Sequence, residues 1–247
     1  MRYGPGLACA GCFRFNGSNR RHPALPMIRL HHVPLSPYCR KIRVALREKG
    51  LASELVEEQP WAQPEELASL NPACETPVLV DQDLVVCDSQ AIADYLEEAY
   101  PEPTLYGRTL EQRNETRRLV AWFDSKFARE VTDLLWREKL LKRLRRSGTP
   151  SSDAVRAGAA NVREHLAYIA WLFEDRRWLA GENLTMADIA AAAHLSVLDY
   201  MGDVPWDVAP GARDWYAKIK SRPSFRPILQ DRIAAMKPPP HYDDLDF

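Results

Sequence analysis

Three short constellations in this 247-residue chain carry residue types that could do chemistry. The first is Ser36-Pro37-Tyr38-Cys39 at the mouth of an amphipathic run. A thiol or anion held there would feel the N–H groups of a helix's first turn, which lower a thiol's pKa. The second joins Thr76-Pro77 to Asp88-Ser89. Pro77 cannot donate to a sheet ladder, so it belongs at a strand's first residue or edge. Asp88-Ser89 opens a helix in which Ile92, Tyr95 and Leu96 recur at helical spacing, and exposed N–H groups at such a start favour an anion. The third is the terminal run His241-Tyr242-Asp243-Asp244-Leu245-Asp246-Phe247, where three large apolar groups are interleaved with three aspartates. A solvated tail has no folding reason to carry them. Such a segment docks on its own protein or binds a partner.

Other residues carry less. Cys9-Ala-Gly-Cys12 is a lone CxxC with no second pair and no histidines at ligand spacing, so no metal site is expected. Five cysteines form no disulfide framework and fit a reducing cytosol. The formal charge of −1 gives no global field for nucleic acid. No apolar run is long enough to cross a membrane: the longest, Met186–Met201, carries Asp188, His194 and Asp199. The basic run Trp136–Arg146 reads as a solvated helix face, or as an attractor for an acidic partner.

The elements that must position these groups follow from periodicity. Residues 1–26 lack a pattern and read as an extension, either a mis-called start before Met27 or a disordered basic arm. Ile28–His32 and Ser53–Glu57 read as strands, with an amphipathic helix over Tyr38–Lys49 between them. Val78–Val80 and Leu84–Cys87 flank a turn and predict a hairpin. Together with the Asp88-Ser89 helix they form a thioredoxin-like domain over 27–102. Beyond Pro101-Glu-Pro103 the pattern is helical: Thr109–Arg146, Asp153–Arg176, Ala187–Val197, Ala212–Ser221 and Phe225–Met236. Thr185 and Asp188 have the spacing of a capping box, so Asp188 is assigned to folding rather than catalysis. The helical domain spans 103–236, and 237–247 is an acidic-aromatic tail. The fold class is therefore α/β followed by all-α.

The Asn71–Glu97 stretch resembles the core of the glutathione transferase family. The resemblance implies a cis-proline at Thr76-Pro77, whose neighbour's backbone pairs with the cysteinyl part of glutathione. It implies that Asp88-Ser89 holds the γ-glutamyl group, and that Ser36 takes the position that activates the thiol. With serine there a dithiol cycle is unavailable, and Cys39 would react only if exposed. The glycine carboxylate needs a cation or donor from the segment before the proline. That segment supplies Gln59 as a donor, but also Glu57, Glu58 and Glu75, which disfavour an anion.

A closer resemblance rests on HYDDLDF, AWFDSKFAREV, HLSVLDYMGDVPW and WYAKIKSRPSFRP, and covers residue 27 to the end. These look like the glutathione-transferase-fold bacterial division proteins that bind FtsZ, the FzlA family. The resemblance implies a cytoplasmic homodimer at the division site, binding FtsZ filaments through His241–Phe247 and altering their curvature or bundling. No cofactor, nucleic acid or membrane insertion is implied. The alternative is an active glutathione transferase, or a glutathione-dependent thiol reductase, using Ser36 with glutathione.

Overall fold

The computed structural model describes residues 28–245. The extension 1–26 with its CxxC, and Asp246 and Phe247, lie outside the described residues. The chain opens with β1 (Ile28–His32), α1 (Pro37–Glu48) and β2 (Ser53–Glu57). A short α2 (Glu65–Leu70) leads to β3 (Val78–Asp81) and β4 (Leu84–Cys87), and α3 (Ser89–Ala99) completes the unit. The sheet order is β2-β1-β3-β4, with β1 parallel to β2 and antiparallel to β3. Local chemistry sets the joints. Ser36 caps α1, accepting from the Cys39 N–H at 3.4 Å, and Pro37 follows in the first turn, where its missing N–H costs nothing. Gly50, at φ +68°, turns the chain from α1 toward β2.

The second half is helical. Its first helix, α4 (Leu110–Ala121), starts in a capping box between Thr109 and Gln112. The sequence predicts one continuous α-helix to Arg146. Instead the chain winds in wide π-type turns over Trp122–Leu141 and closes with α5 (Lys142–Arg145). Then come α6 (Ser152–Glu174) and α7 (Met186–Tyr200), every residue of which is buried. The alanines that permit this burial are Ala187 and Ala190–Ala193. Asp188 accepts from the N–H groups of Thr185 (3.0 Å) and Leu179 (2.8 Å) and from Trp215 Nε1 (3.0 Å). It is a fully buried cap, as the spacing predicts.

After α8 (Pro210–Lys220), the helix expected over Phe225–Met236 shortens to α9 (Arg226–Leu229). The reason lies in side chains. Asp231 is drawn to Arg40 and Arg43. The Tyr200 hydroxyl accepts from Ile233 N–H and donates to the Met236 carbonyl, satisfying backbone that a helix would otherwise pair.

The helix α1 joins the two halves. Its pattern reads as apolar on one side and cationic elsewhere, yet Arg40, Lys41 and Arg43 are buried with the apolar face. Arg40 donates to Pro34 O, Ser196 Oγ, Tyr242 OH, Ile228 O and Asp231 Oδ2, all within 3.2 Å. Lys41 pairs with Asp124, whose other oxygen meets His194 Nε2 at 3.3 Å, while His194 Nδ1 meets Thr132 Oγ1 at 2.8 Å.

Candidate functional site: a cleft between the halves and an anchored C-terminal segment

A cleft of about 620 Å³ opens where the start of α1, the entry to β3 and the start of α3 face the π-turn segment. Four of the five residues that the resemblance assigns to a glutathione site come together there with Ser36: Thr76, Pro77, Asp88 and Ser89. The Thr76–Pro77 peptide is cis. Asp88 sits at φ +76°, a conformation unusual for a residue with a side chain, and its Oδ1 accepts from the N–H groups of Gln90 (2.7 Å) and Ala91 (3.1 Å). Ser89 is buried as the first residue of α3. Asn71 braces the approach to the cis bond. It donates to Glu75 O at 2.9 Å and accepts from Ala73 N–H at 3.1 Å.

Gln59 is not brought to the cleft; it is exposed, and its neighbours Pro60 and Trp61 line the wall instead. The charge argument drawn from the sequence also changes. Glu58 turns away to His31 Nδ1 (2.7 Å) and Glu57 is exposed, so neither lines the cleft; Glu75 does. Opposite it stand two cations that spacing assigned to a solvated face, Arg137 and Arg145. With Leu141 between them they step by four residues, which keeps them on one side of the helical run, and Trp136 completes that wall. Trp136 Nε1 is buried without a hydrogen-bond partner among the described residues.

The reactive groups in and behind the cleft are held in check. Cys39 is fully buried, burial pushes its thiol up, and its Sγ accepts from Val33 N–H at 3.4 Å. A thiol in that state is not a nucleophile. Burial, then the Asp124 charge, raises Tyr38 to about 12, so its phenol stays neutral. Burial alone would raise Asp124, but Lys41 and then His194 outweigh it and hold that carboxyl below the ordinary range. Among the described residues no group of three or more His, Cys, Asp or Glu side chains is placed to hold a metal ion. No helix among them is long and apolar enough to cross a membrane.

The C-terminal segment divides in two. Tyr242 is fully buried, edge-on to Tyr200, with its hydroxyl accepting from Arg40 at 3.2 Å. His241 Nε2 meets the buried Asp199 Oδ1 at 3.0 Å, and Leu245 packs at the edge of the core. Asp243, paired with Arg232, and Asp244 are exposed. Of the seven residues assigned to a partner surface, Tyr242 therefore faces inward and serves as the anchor for those that follow.

The cis-proline at the strand entry, the capped α3 start and the all-helical second half define the glutathione transferase class. The chain matches the glutathione S-transferase N-terminal domain over residues 30–104 and the C-terminal domain over 152–218. It is 50% identical to FtsZ-localized protein A of Caulobacter vibrioides over 222 residues, 88% of this chain and 97% of that protein. A solved structure of FzlA from C. crescentus superposes with TM-score 0.86 at 49% identity, covering 90% of this chain and all of that one. A crystal structure of a glutathione S-transferase from Rhodospirillum rubrum F11 gives TM-score 0.88 at 58% identity over the same shares. The chain belongs to the FtsZ-localized protein A family within the glutathione transferase superfamily.

Proposed function

We propose that this protein is a non-catalytic, cytoplasmic homodimer that binds FtsZ filaments at the bacterial division site and alters their curvature or bundling. The observation that carries the reading is the 50% identity to FtsZ-localized protein A across nearly the whole of both chains. The structure adds a physical basis. Tyr242, clamped by Arg40, fixes the point from which the acidic residues leave the surface. A dimer would present two such segments, and two linked weak contacts bind a polymer far more tightly than one.

The test is co-sedimentation with polymerised FtsZ, with electron microscopy of the filaments. A chain ending at Tyr242 keeps the anchor but loses residues 243–247. It is expected to remain folded and to stop pelleting. Unchanged pelleting would remove those residues from the partner surface.

The alternative is a glutathione-dependent transferase. It is favoured by one observation: Ser36, cis Pro77, Asp88 and Ser89 share a cleft with Arg137 and Arg145, which could take a carboxylate. Glutathione titrated by calorimetry, with turnover of a chlorinated aromatic substrate, separates the two readings. Binding with turnover would overturn the non-catalytic one.

A further inference from the structure

A second cavity, of about 510 Å³, lies between the end of α1, strand β2 and the segment leading into α9. Its origin is a mismatch in cover. In the parallel register Ile28 faces Ser53 and Leu30 faces Leu55, so Ser53 and Leu55 share the sheet face of two core residues. Ile28 and Leu30 are buried, but Leu55 is 44% exposed. The helical layer stops short of β2 and leaves its inner face as a trough. Leu51, Pro223, Pro227 and Ile228 make its apolar lining.

Two further features give the trough a chemistry. Among the described residues β2 pairs with β1 alone, so its outer backbone edge is open to another strand. Arg43 and Arg47 line the trough as well. Arg43 is committed to Asp231 through two hydrogen bonds, at 2.8 and 2.9 Å. Arg47 is exposed and forms no ion pair among the described residues, so it is the available charge. Glu57, on the same strand face but at the far end of β2, repels a carboxylate and so sets its register toward the Arg47 end.

We propose that this trough docks an extended acidic segment of a partner protein, which adds to the β2 edge, seats an apolar side chain on Leu55 and places a carboxylate on Arg47. Main-chain hydrogen bonds would supply affinity and the alternate side chains specificity, as in strand addition generally. The site is separate from the cleft and from residues 243–247.

The experiment uses the full chain and a fluorescently labelled eight-residue peptide with serine at every odd position and aspartate and leucine in turn at the even ones, so that both face the trough, followed by anisotropy. The expected result is saturable binding, weakened about tenfold or more by Arg47→Glu and by Leu55→Asp, and weakened by salt. Amide exchange at Ser53–Glu57 should slow when peptide is bound. Both positions are exposed, and a circular dichroism melt confirms that the variants fold; Arg47→Gln provides a milder second variant. Three outcomes overturn the proposal: equal binding of a peptide with lysine in place of aspartate, binding untouched by both substitutions, or binding lost when residues 243–247 are removed. A change of oligomeric state on Leu55→Asp without peptide, read by sedimentation, would assign the trough to a second copy of the chain instead and overturn it as well.

Discussion

At the cleft, side chains serve backbone close by in sequence. Asp88 caps the N–H groups of Gln90 and Ala91, Asn71 braces Ala73 and Glu75, and Ser36 caps Cys39. At the C-terminal anchor, side chains serve one another across the whole chain. Arg40 meets Ser196, Ile228, Asp231 and Tyr242, and Arg43 meets Asp231. The first arrangement is local, half open to water and made of neutral or capped groups. The second is buried and ionic. Local caps each contribute modestly and fail independently, whereas a buried charge network fails as a unit because every lost partner leaves another uncompensated. The stability of the joined halves should therefore rest on the anchor, and the cleft should tolerate change.

The most severe test of that contrast is Arg40→Met. It leaves Tyr242 OH and the Ile228 carbonyl without their donor and Asp231 with Arg43 alone, and about 3–5 kcal/mol of unfolding free energy should be lost. Urea denaturation measures it. A loss as small as that of a surface substitution would mean that water fills the site and the network is not a unit.

A pH titration of stability sharpens the same contrast, because the titrating group sits on the anchor's side. His32 is buried on β1 beside Arg43, and burial, then that positive charge, lowers it from 6.5 to about 4. The unfolded chain takes up the proton first as pH falls. The stabilisation from keeping His32 neutral is thus complete above pH 6.5 and is lost between there and about pH 4. The total is roughly 3 kcal/mol at most. His32→Leu should flatten the slope of stability against pH in that window. An unchanged slope would place the sensitivity on another group.

Tyr242→Phe is milder. It keeps the ring against Tyr200 but removes the hydroxyl that accepts from Arg40, and about 1.5 kcal/mol should be lost. The variant separates anchor from partner surface. If pelleting with FtsZ falls far more than stability does, the ring's exact placement governs how residues 243–245 are shown.

The contrast also explains which parts of the molecule could be read from the sequence. Ile28–His32 and Ser53–Glu57 stand where alternation placed them, and Thr185 and Asp188 form the expected box. These rest on spacings of two to four residues, which a sequence displays. Thr76, Pro77, Asp88 and Ser89 are marked by the family resemblance rather than by such spacings, and they meet in one cleft. Arg137 and Arg145 were not legible: their four-residue steps put them on one side of a helix, but nothing in the sequence shows that this side meets the cleft. Nor was Arg40. A cation inside an amphipathic helix reads as solvent-facing unless its partners, 156 to 202 residues away, are known. The expected helix to Met236 failed similarly, since Tyr200 and Arg40 compete for that segment from outside it.

The smallest effect belongs to the cleft, and it decides most about function. Ser36→Ala removes the cap of α1, a hydrogen bond that is long at 3.4 Å, and about 1 kcal/mol or less should be lost. Ser36→Thr keeps a capping hydroxyl and should recover most of it. In a scaffold whose hydroxyl serves only the helix, both variants pellet with FtsZ like the parent once the melts show them folded. In a glutathione-dependent enzyme, the alanine variant loses turnover by a factor that 1 kcal/mol of stability cannot produce, because a well-folded protein remains almost wholly folded after so small a change. The ratio of the two losses separates cap from catalyst without requiring a bound ligand to be seen. It also breaks the contrast outright if Ser36→Ala proves as damaging to folding as Arg40→Met.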